Sequence, residues 1–226
     1  MPGFVHGGFV PGRLAPYHLA MTFRALMVLS LLLPFAAPLA VMAAQAPAEA
    51  ARTAPDSPAS PDKAKAREAI LDRLLEELSK AETEEKGRAV ERAIQSVWLN
   101  SGSPSIDLLT QRGLDALAED DLDRAYFYFD EVVTLAPEFA EGWHRRAAIH
   151  YLREDYSAAL RDLEQTLRLE PRHYEALAGL GVILEDLGDR MGALEAYRRA
   201  LALNPWLVNG KERIEPLELE VEGRGI

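Results

Sequence analysis

Apolar residues recur at helical spacing along most of the chain after residue 60. The first stripe consists of Ile70, Leu71, Leu74, Leu75 and Leu78, and the second of Val90, Ile94, Val97 and Trp98. Residues three and four positions apart share one face of an α-helix, so each stripe predicts a helix with one buried side. The polar break AETEEKG separates the two helices, and the turn-rich run NSGSPS ends the second. The pattern predicts a helical hairpin over residues 62–105.

From residue 106 onward the pattern repeats every 34 residues. The positions in phase are Pro137, Pro171 and Pro205; Gly113, Ala147 and Gly181; Ala125, Ala159 and Ala193; Leu135, Leu169 and Leu203; and Phe129, Leu163 and Tyr197. A fixed period of this length indicates stacked copies of one supersecondary unit. We predict units at 106–139, 140–173 and 174–207, followed by a cap and an acidic tail at 208–226.

The period and the residue types resemble the tetratricopeptide repeat (TPR), a helix–turn–helix unit. The resemblance implies an all-α, right-handed superhelix of TPR units, extended at its front by the degenerate hairpin and closed by a short helix near residues 207–214. Small residues such as Ala159 are expected where the two helices of a unit cross closely. Proline is expected to end each second helix, because it lacks the N–H group that would extend it. Tight turns within the units are predicted at Asp120-Asp121, Glu154-Asp155 and Gly188-Asp189.

The residues before the hairpin include a segment typical of export. Arg24 precedes the apolar run Ala25–Leu33, and Val41-Met42-Ala43 forms a small-residue cleavage pattern. Residues 21–43 are therefore predicted to be a secretory signal peptide. The uncharged run Ala25–Ala44 also has the length of a membrane span, so an uncleaved anchor stays the alternative.

The flanking segments complete this picture. We expect Met21 to be the true start and residues 1–20 to be a non-native leader. Residues 44–61 are rich in alanine and proline and are predicted to be a disordered linker, because they have little apolar surface to bury. The signal peptide predicts a periplasmic or secreted protein, and an uncleaved anchor would leave the repeats attached to the membrane and facing the periplasm.

The composition excludes several classes of site. The chain has no cysteine, which excludes disulfides, thiolate zinc sites, cysteine nucleophiles and a lipoprotein anchor. Its formal net charge is −11, and all 36 acidic residues lie at or after Glu49, whereas only Arg13 and Arg24 of the 25 basic residues precede it. Such a surface repels phosphate backbones, so nucleic acid is not an expected partner. Phosphate-loop, zinc and paired-carboxylate motifs are absent from the sequence, and we predict no catalytic residue and no cofactor.

The histidines of the repeats do not form a ligand set in the sequence. His144 and His150 lie about 120° apart around a helix, so they do not chelate one metal ion. His150 occupies an inward position and is expected to be a packed core residue. His173 follows Pro171 without a second ligand near it in the sequence. No metal site is predicted.

The charged residues of the repeats have two interpretations. Asp107, Glu141 and Glu175 recur near the start of each first helix, either as an acidic ladder that selects basic partner residues or as carboxylates that stabilise helix N-termini. We favour the second interpretation. The remaining charged groups are expected to be solvated faces: Arg145-Arg146, Arg198-Arg199 and the acidic tail 212–222.

The resemblance places the first helix of each unit on the concave face of the superhelix. The side chains expected to line this groove are Asp107, Thr110, Leu114 and Leu117; Glu141, His144, Ala148 and Tyr151; and Glu175, Ala178, Val182 and Glu185. An apolar helix or extended peptide with basic flanks suits such a groove. One TPR subgroup clamps the carboxylate tail of heat-shock chaperones with Lys, Asn and Arg. The matching positions Thr110, Leu114, Ala148, Ala178 and Val182 have none of these residues, so that ligand is not expected.

These observations predict a non-enzymatic protein–protein interaction module, exported to the periplasm as an adaptor or scaffold and not inserted in the membrane after signal cleavage. Two alternatives stay open: a structural or assembly subunit of a cell-envelope complex, and an enzyme with dispersed catalytic groups. Tyr151 is predicted to anchor a partner together with Leu117, Leu114 and Ala148. The alternative is that its ring packs against the neighbouring unit. Protonation of His144 on the same face would add positive charge to the groove.

Overall fold

The computed structural model describes residues 61–223, and the structural statements below concern that part of the chain. Its helices are α1 Pro61–Ser79, α2 Glu84–Leu99, α3 Pro104–Ala118, α4 Leu122–Leu135, α5 Ala140–Leu152, α6 Tyr156–Leu169, α7 Tyr174–Asp186, α8 Arg190–Leu203 and α9 Gly210–Val221. This range contains no strand, and none of its helices is long and apolar enough to cross a membrane. The predicted leader and signal peptide, and the linker up to residue 60, lie outside the described residues.

Each repeat unit is a pair of helices joined by a tight turn, as predicted. The chain reverses at Asp120 and Glu154, where φ is 59° and 62°, and at Gly188, where φ is 83°. These left-handed conformations end the first helix of each unit. The next residues, Asp121, Asp155 and Asp189, cap the second helices, since each carboxylate accepts a backbone N–H from the first turn.

The second helices end just before the repeated prolines, which confirms the predicted role of these residues. Helices α4, α6 and α8 end at Leu135, Leu169 and Leu203, two residues ahead of Pro137, Pro171 and Pro205. The residue that precedes each proline has a φ between −132° and −136°. A proline ring disfavours the helical conformation of the residue before it, so the helix stops there.

The small residues of the repeat allow the two helices of a unit to approach closely. A methyl group placed on Gly113 would lie 2.6 Å from the ring of Phe129, and one on Gly181 would lie 2.7 Å from the ring of Tyr197. Ala125, Ala159 and Ala193 on the second helices are fully buried. Glycine or alanine at these positions therefore leaves room for a large side chain from the facing helix.

The α1–α2 hairpin departs from the predicted arrangement. We expected it to extend the superhelix in front of the first unit, but it folds back onto later parts of the chain, where α1 contacts α8 and α2 contacts α5. Except for Ile70, which is exposed, its two apolar stripes form one buried cluster with Tyr174, against which Leu203, Trp206 and Leu207 also pack. The cluster joins the hairpin to the third unit and to the segment that follows it.

The first unit offers the hairpin a polar front, which explains the difference. Asp115 is exposed on α3, whereas the residues one and two periods later, Ile149 and Ile183, are buried. Gln111 and Arg112 are exposed beside Asp115. An apolar hairpin stacked there would remove the charged groups of Asp115 and Arg112 from water, and the one hydrogen bond from Gln111 to Asp115 does not replace that hydration.

Helix α9 covers the last unit, as the sequence predicted. It packs against α8 and buries Ile214 and Leu217. Arg198 of α8 forms ion pairs with Glu218 of α9 and with Glu222, which follows α9, each at 2.6 Å. The helix begins later and runs further than the predicted 207–214, and its exposed side carries Lys211, Glu212 and Glu215 together with Leu219.

Candidate functional site

The residues predicted to line the groove lie on the first helices α3, α5 and α7. Helices α5 and α7 contact each other directly, as neighbouring inner helices of a repeat superhelix do. Most of the predicted side chains are buried, namely Thr110, Leu117, Glu141, His144, Ala148, Tyr151 and Val182. Leu114, Ala178 and Glu185, together with Asp107 and Glu175, are half-buried and form the accessible part of the groove.

The deepest part of this surface is a buried cluster of Glu141, His144 and His173. Nε2 of His173 lies 3.0 Å from Oε2 of Glu141, and Nδ1 of His144 lies 3.7 Å from the same oxygen. The Nε–H of Arg145 donates to the other carboxylate oxygen at 2.5 Å. All four side chains are buried, so Arg145 is not part of the solvated face that we predicted.

Closure of one repeat unit brings these residues together. Glu141 and His144 are one turn apart at the start of α5, and His173 is the last residue before α7. The two helices of a unit return the chain to the end from which it started, so the first and last residues of the unit 140–173 meet. The sequence did contain a signal for this cluster: His173 is the last residue of a unit whose first turn carries Glu141 and His144. This signal was not recognised from the sequence alone.

The three side chains have metal-ligand chemistry, but their hydrogen bonds favour a different role. Their candidate ligand atoms lie within 4.8 Å of one another, a spacing compatible with one metal ion. However, Nδ1 of His173 accepts the backbone N–H of Ala176 and so caps α7. A neutral imidazole that accepts at Nδ1 carries its hydrogen on Nε2, which then donates to Glu141 and has no lone pair for a metal. The cluster is therefore a hydrogen-bonded ion pair that joins α5 to the start of α7.

The electrostatics of the cluster follow from its burial. Burial alone would raise the pKa of Glu141, but the Arg145 guanidinium, followed by the neighbouring His144 and His173, holds this pKa well below its ordinary range. Burial, and the neighbouring His173 in second place, lower the pKa of His144. The cluster thus holds an ionised carboxylate, a guanidinium and a neutral His144 at neutral pH.

The α1–α2 hairpin covers this cluster. The ring of Trp98 stacks on His173 with 4.1 Å between centroids and 9° between planes, and it lies 5.0 Å from the ring of Tyr174. His144 lies behind His173, with 4.4 Å between their ring centroids. Trp98 is only 2% exposed. The aromatic end of α2 therefore seals the groove over the first turns of α5 and α7.

Polar contacts continue along α2 beyond Trp98. The side chain of Gln95 donates to Glu175 at 2.7 Å, and the amide of Asn204 donates to Glu91 at 2.6 Å. Glu175 is one of the recurring carboxylates, and its partner comes from the chain itself. Asp107 likewise accepts hydrogen bonds from Ser101. The three recurring carboxylates are thus occupied by different intramolecular partners, and they do not form a ladder that faces solvent.

At the far end of the groove, Tyr151 and Glu185 are bonded to other parts of the chain, including α9. The hydroxyl of Tyr151 donates to Asp186 at 3.0 Å, and its ring lies 5.9 Å from that of Tyr156. Glu185 accepts from the hydroxyl of Tyr197 and from Arg213. Tyr151 is 4% exposed, which favours the packing alternative for this ring, and its role as a partner anchor stays a prediction.

A second charged network joins neighbouring units on the opposite side of α5. Arg146 donates to Asp130 of the first unit and to Asp162 of the second, in each case at 2.7 Å. Nε2 of His150 lies 3.7 Å from Asp162, and its ring meets that of Tyr126 edge-on. Arg146 is mostly buried rather than solvated, so the prediction for Arg145-Arg146 was wrong at both residues. A guanidinium that faces two carboxylates is stabilised by both, so it lies between the helices.

Comparisons with known proteins agree with this architecture. The tetratricopeptide-repeat family models match residues 140–173 and 174–205. A TPR repeat-containing protein of Rhizobium etli is 32% identical over 153 residues, which cover 68% of this chain and 75% of that protein. The small glutamine-rich tetratricopeptide repeat-containing protein 2 of Saccharomyces cerevisiae is 29% identical over 93 residues, or 41% of this chain and 27% of that protein.

A solved structure is similar in fold. The Arabidopsis OM64 TPR domain shares 20% sequence identity and superposes with a TM-score of 0.50, covering 52% of this chain and 97% of that domain. With its helical units, the capped turns between their helices and the 32% identity to the Rhizobium etli protein, this chain belongs to the tetratricopeptide-repeat family.

Proposed function

We propose that this protein is an exported, non-enzymatic adaptor whose groove binds an apolar helix or an extended segment of another protein. TPR units build protein–protein interaction modules, and the coarse function follows from the family. The location in the periplasm and the use of the concave groove are the parts that we propose.

One observation supports the groove as a helix-binding surface. The chain seats its own helix α2 across the first turns of α5 and α7, with the buried ring of Trp98 as the anchor. Hydrogen bonds from Gln95 to Glu175 and from Asn204 to Glu91 flank this anchor. An aromatic anchor in a groove with polar contacts beside it is the usual way in which a groove binds an amphipathic helix.

The chemistry of the groove also supports the partner class. The positions at which a carboxylate clamp needs basic or amide groups hold Thr110, Leu114, Ala148, Ala178 and Val182, so we do not propose a chaperone carboxylate tail as ligand. The acidic character of the chain argues against nucleic acid. The histidine–carboxylate cluster of the described residues is a hydrogen-bonded ion pair that joins α5 to the start of α7, and this structural role supports a non-enzymatic function.

Crosslinking in cells tests the groove. A photo-crosslinking amino acid replaces Leu114 or Ala178, which are half-buried in the groove, or Arg161, which is exposed on α6 and serves as the matched control. We expect a protein adduct from position 114 and none of the same mass from position 161. Equal adducts from both positions, or none from either position 114 or position 178, would contradict binding in the groove.

Export is tested separately. The proposal rests on Arg24, the apolar run Ala25–Leu33 and the small residues before position 44. Residues 21–60 are fused to a reporter enzyme that is active only outside the cytoplasm, and Leu31→Arg/Leu32→Arg interrupts the apolar run in the control. Activity that is lost in the control supports export, and an inactive wild-type fusion contradicts it. Sequencing of the N-terminus of the mature protein separates cleavage near residue 43 from an uncleaved anchor.

A further inference from the structure

Helix α2 contacts two consecutive loops of the repeat array through a single face. The contacts are Gly87 with Trp206, Glu91 with Asn204, Gln95 with Glu175 and Trp98 with His173. The α2 positions are spaced by four, four and three residues, so they form one stripe of the helix. The residues that this stripe contacts belong to the segments 173–175 and 204–206, which we call the docking face. The docking face is thus shaped to hold one helix along its length.

The contact between α2 and the docking face is imperfect. Among the residues described, Nε1 of Trp98, Nδ1 of His144 and Oη of Tyr174 are buried without a hydrogen-bond partner. All three atoms lie in the contact between α2, α5 and the start of α7. A buried polar group without a partner costs free energy, because it has lost its hydrogen bonds to water. A different helix that offers these atoms partners would bind more favourably than α2 does.

The hairpin is also built as a separate piece. Its two helices pack on each other through apolar stripes that also contact Tyr174 and Trp206, and only residues 100–103 connect α2 to α3. A hairpin on a short tether stays near its seat and competes with other ligands at a high local concentration. It can leave the docking face without unfolding α3 to α9, because the helices of each repeat unit pack on each other and on the next unit.

We propose that the α1–α2 hairpin is a displaceable cover and that the docking face binds an amphipathic helix of another protein. This inference rests on the proposed adaptor function and specifies its partner. The partner helix resembles α2: a small residue faces Trp206, hydrogen-bonding side chains follow four and eight positions later, and a large aromatic follows at position eleven. A hydrogen-bond donor or acceptor that reaches Tyr174 or His144 lets it replace the hairpin.

A reversible lock in the full chain tests the proposal. The Cβ position of residue 87 lies 2.5 Å from Cγ of Trp206, so Gly87→Cys/Trp206→Cys places two thiols within bonding reach. The chain has no other cysteine, so reductant acts on this bond alone. The probe is a fluorescein-labelled synthetic peptide of residues 61–99, and its binding is followed by fluorescence anisotropy. The same peptide with Trp98→Ala is the control.

The second protein is full-length Trp98→Ala, which weakens the cover but keeps the docking face. When a site is accessible only in a minor open state, its apparent affinity is reduced in proportion to the population of that state. We therefore expect Trp98→Ala to bind the peptide on the order of tenfold or more tightly than the wild type. Both redox forms of the double-cysteine protein lack Trp206, so they are compared only with each other. The reduced form should bind the peptide at least about tenfold more tightly than the oxidised form. Equal binding by the oxidised and reduced forms, or no gain in Trp98→Ala, would overturn the proposal. If Trp98→Ala does not fold, the double-cysteine protein alone decides.

The two proposals fail in different ways. If a partner crosslinks at position 114 but the disulfide does not change peptide binding, the adaptor function is supported and the proposal of a displaceable cover is refuted. If the disulfide controls peptide binding but no adduct forms at position 114 or 178, the docking-face proposal is supported and partner binding in the groove is contradicted.

Discussion

Removal of the Glu141 carboxylate should destabilise the protein strongly, because it isolates a buried positive charge. Glu141 and Arg145 are 2% and 5% exposed, and their side chains are joined by a 2.5 Å hydrogen bond. Removing one partner of a buried ion pair typically costs about 3–5 kcal/mol, since the other charge stays in a medium of low polarity. The Nε2–H of His173 loses its acceptor as well. We expect Glu141→Leu to lower the free energy of unfolding by at least about 3 kcal/mol.

A second variant separates the charge effect from the loss of packing. In Glu141→Leu/Arg145→Met neither charge remains, so the double variant should be more stable than Glu141→Leu alone. Urea unfolding followed by helical circular dichroism measures each free energy. The matched control is Glu175→Leu, one period later, where a half-buried carboxylate loses one hydrogen bond from Gln95 and the cost should be about 1 kcal/mol. Additive costs in the double variant, or equal costs for Glu141→Leu and Glu175→Leu, would refute the reasoning.

Three further predictions concern the packing of the helices, the docking of the hairpin and the groove. Ala159→Leu should cost about 1–3 kcal/mol because it overpacks a fully buried helix crossing, whereas Arg161→Ala on the exposed side of α6 should be nearly neutral; equal shifts in Tm would mean that the helix register is wrong. Acidification should loosen the hairpin, because burial holds the pKa of His144 below its ordinary 6.5 and the undocked state takes up the proton first. The free energy that favours the docked hairpin is therefore at its full value well above pH 6.5 and decreases as the pH falls below 6.5. Hydrogen exchange in α1–α2 should become faster on acidification in the wild type, and the change should be smaller in His144→Gln. Tyr151→Ala should lower Tm because the ring is buried; an unchanged Tm with binding weakened by about 2 kcal/mol would instead identify Tyr151 as a partner anchor.

The sequence determined the repeat fold because its signals are local. Prolines at a fixed spacing end the second helices, Asp121 and its counterparts cap them, and glycine or alanine stands where the facing helix presents a large side chain. Each signal acts within one unit of about 34 residues, and the period shows that the same solution recurs. The hairpin was also visible as two apolar stripes, since amphipathic helices carry their own pattern.

The tertiary structure decided where that hairpin lies and what it covers. The contact between Glu91 and Asn204 joins residues 113 positions apart, and the pairing of Glu141 with His173 spans 32. Such contacts depend on the match between two surfaces. A stripe such as Val90, Ile94 and Trp98 predicts that one side of a helix is buried, but it does not predict which other surface covers that side. Asp115 at the front of the first unit and Trp206 behind the third direct the hairpin to the later units, because removing an exposed carboxylate from water costs free energy and burying aromatic surface gains it.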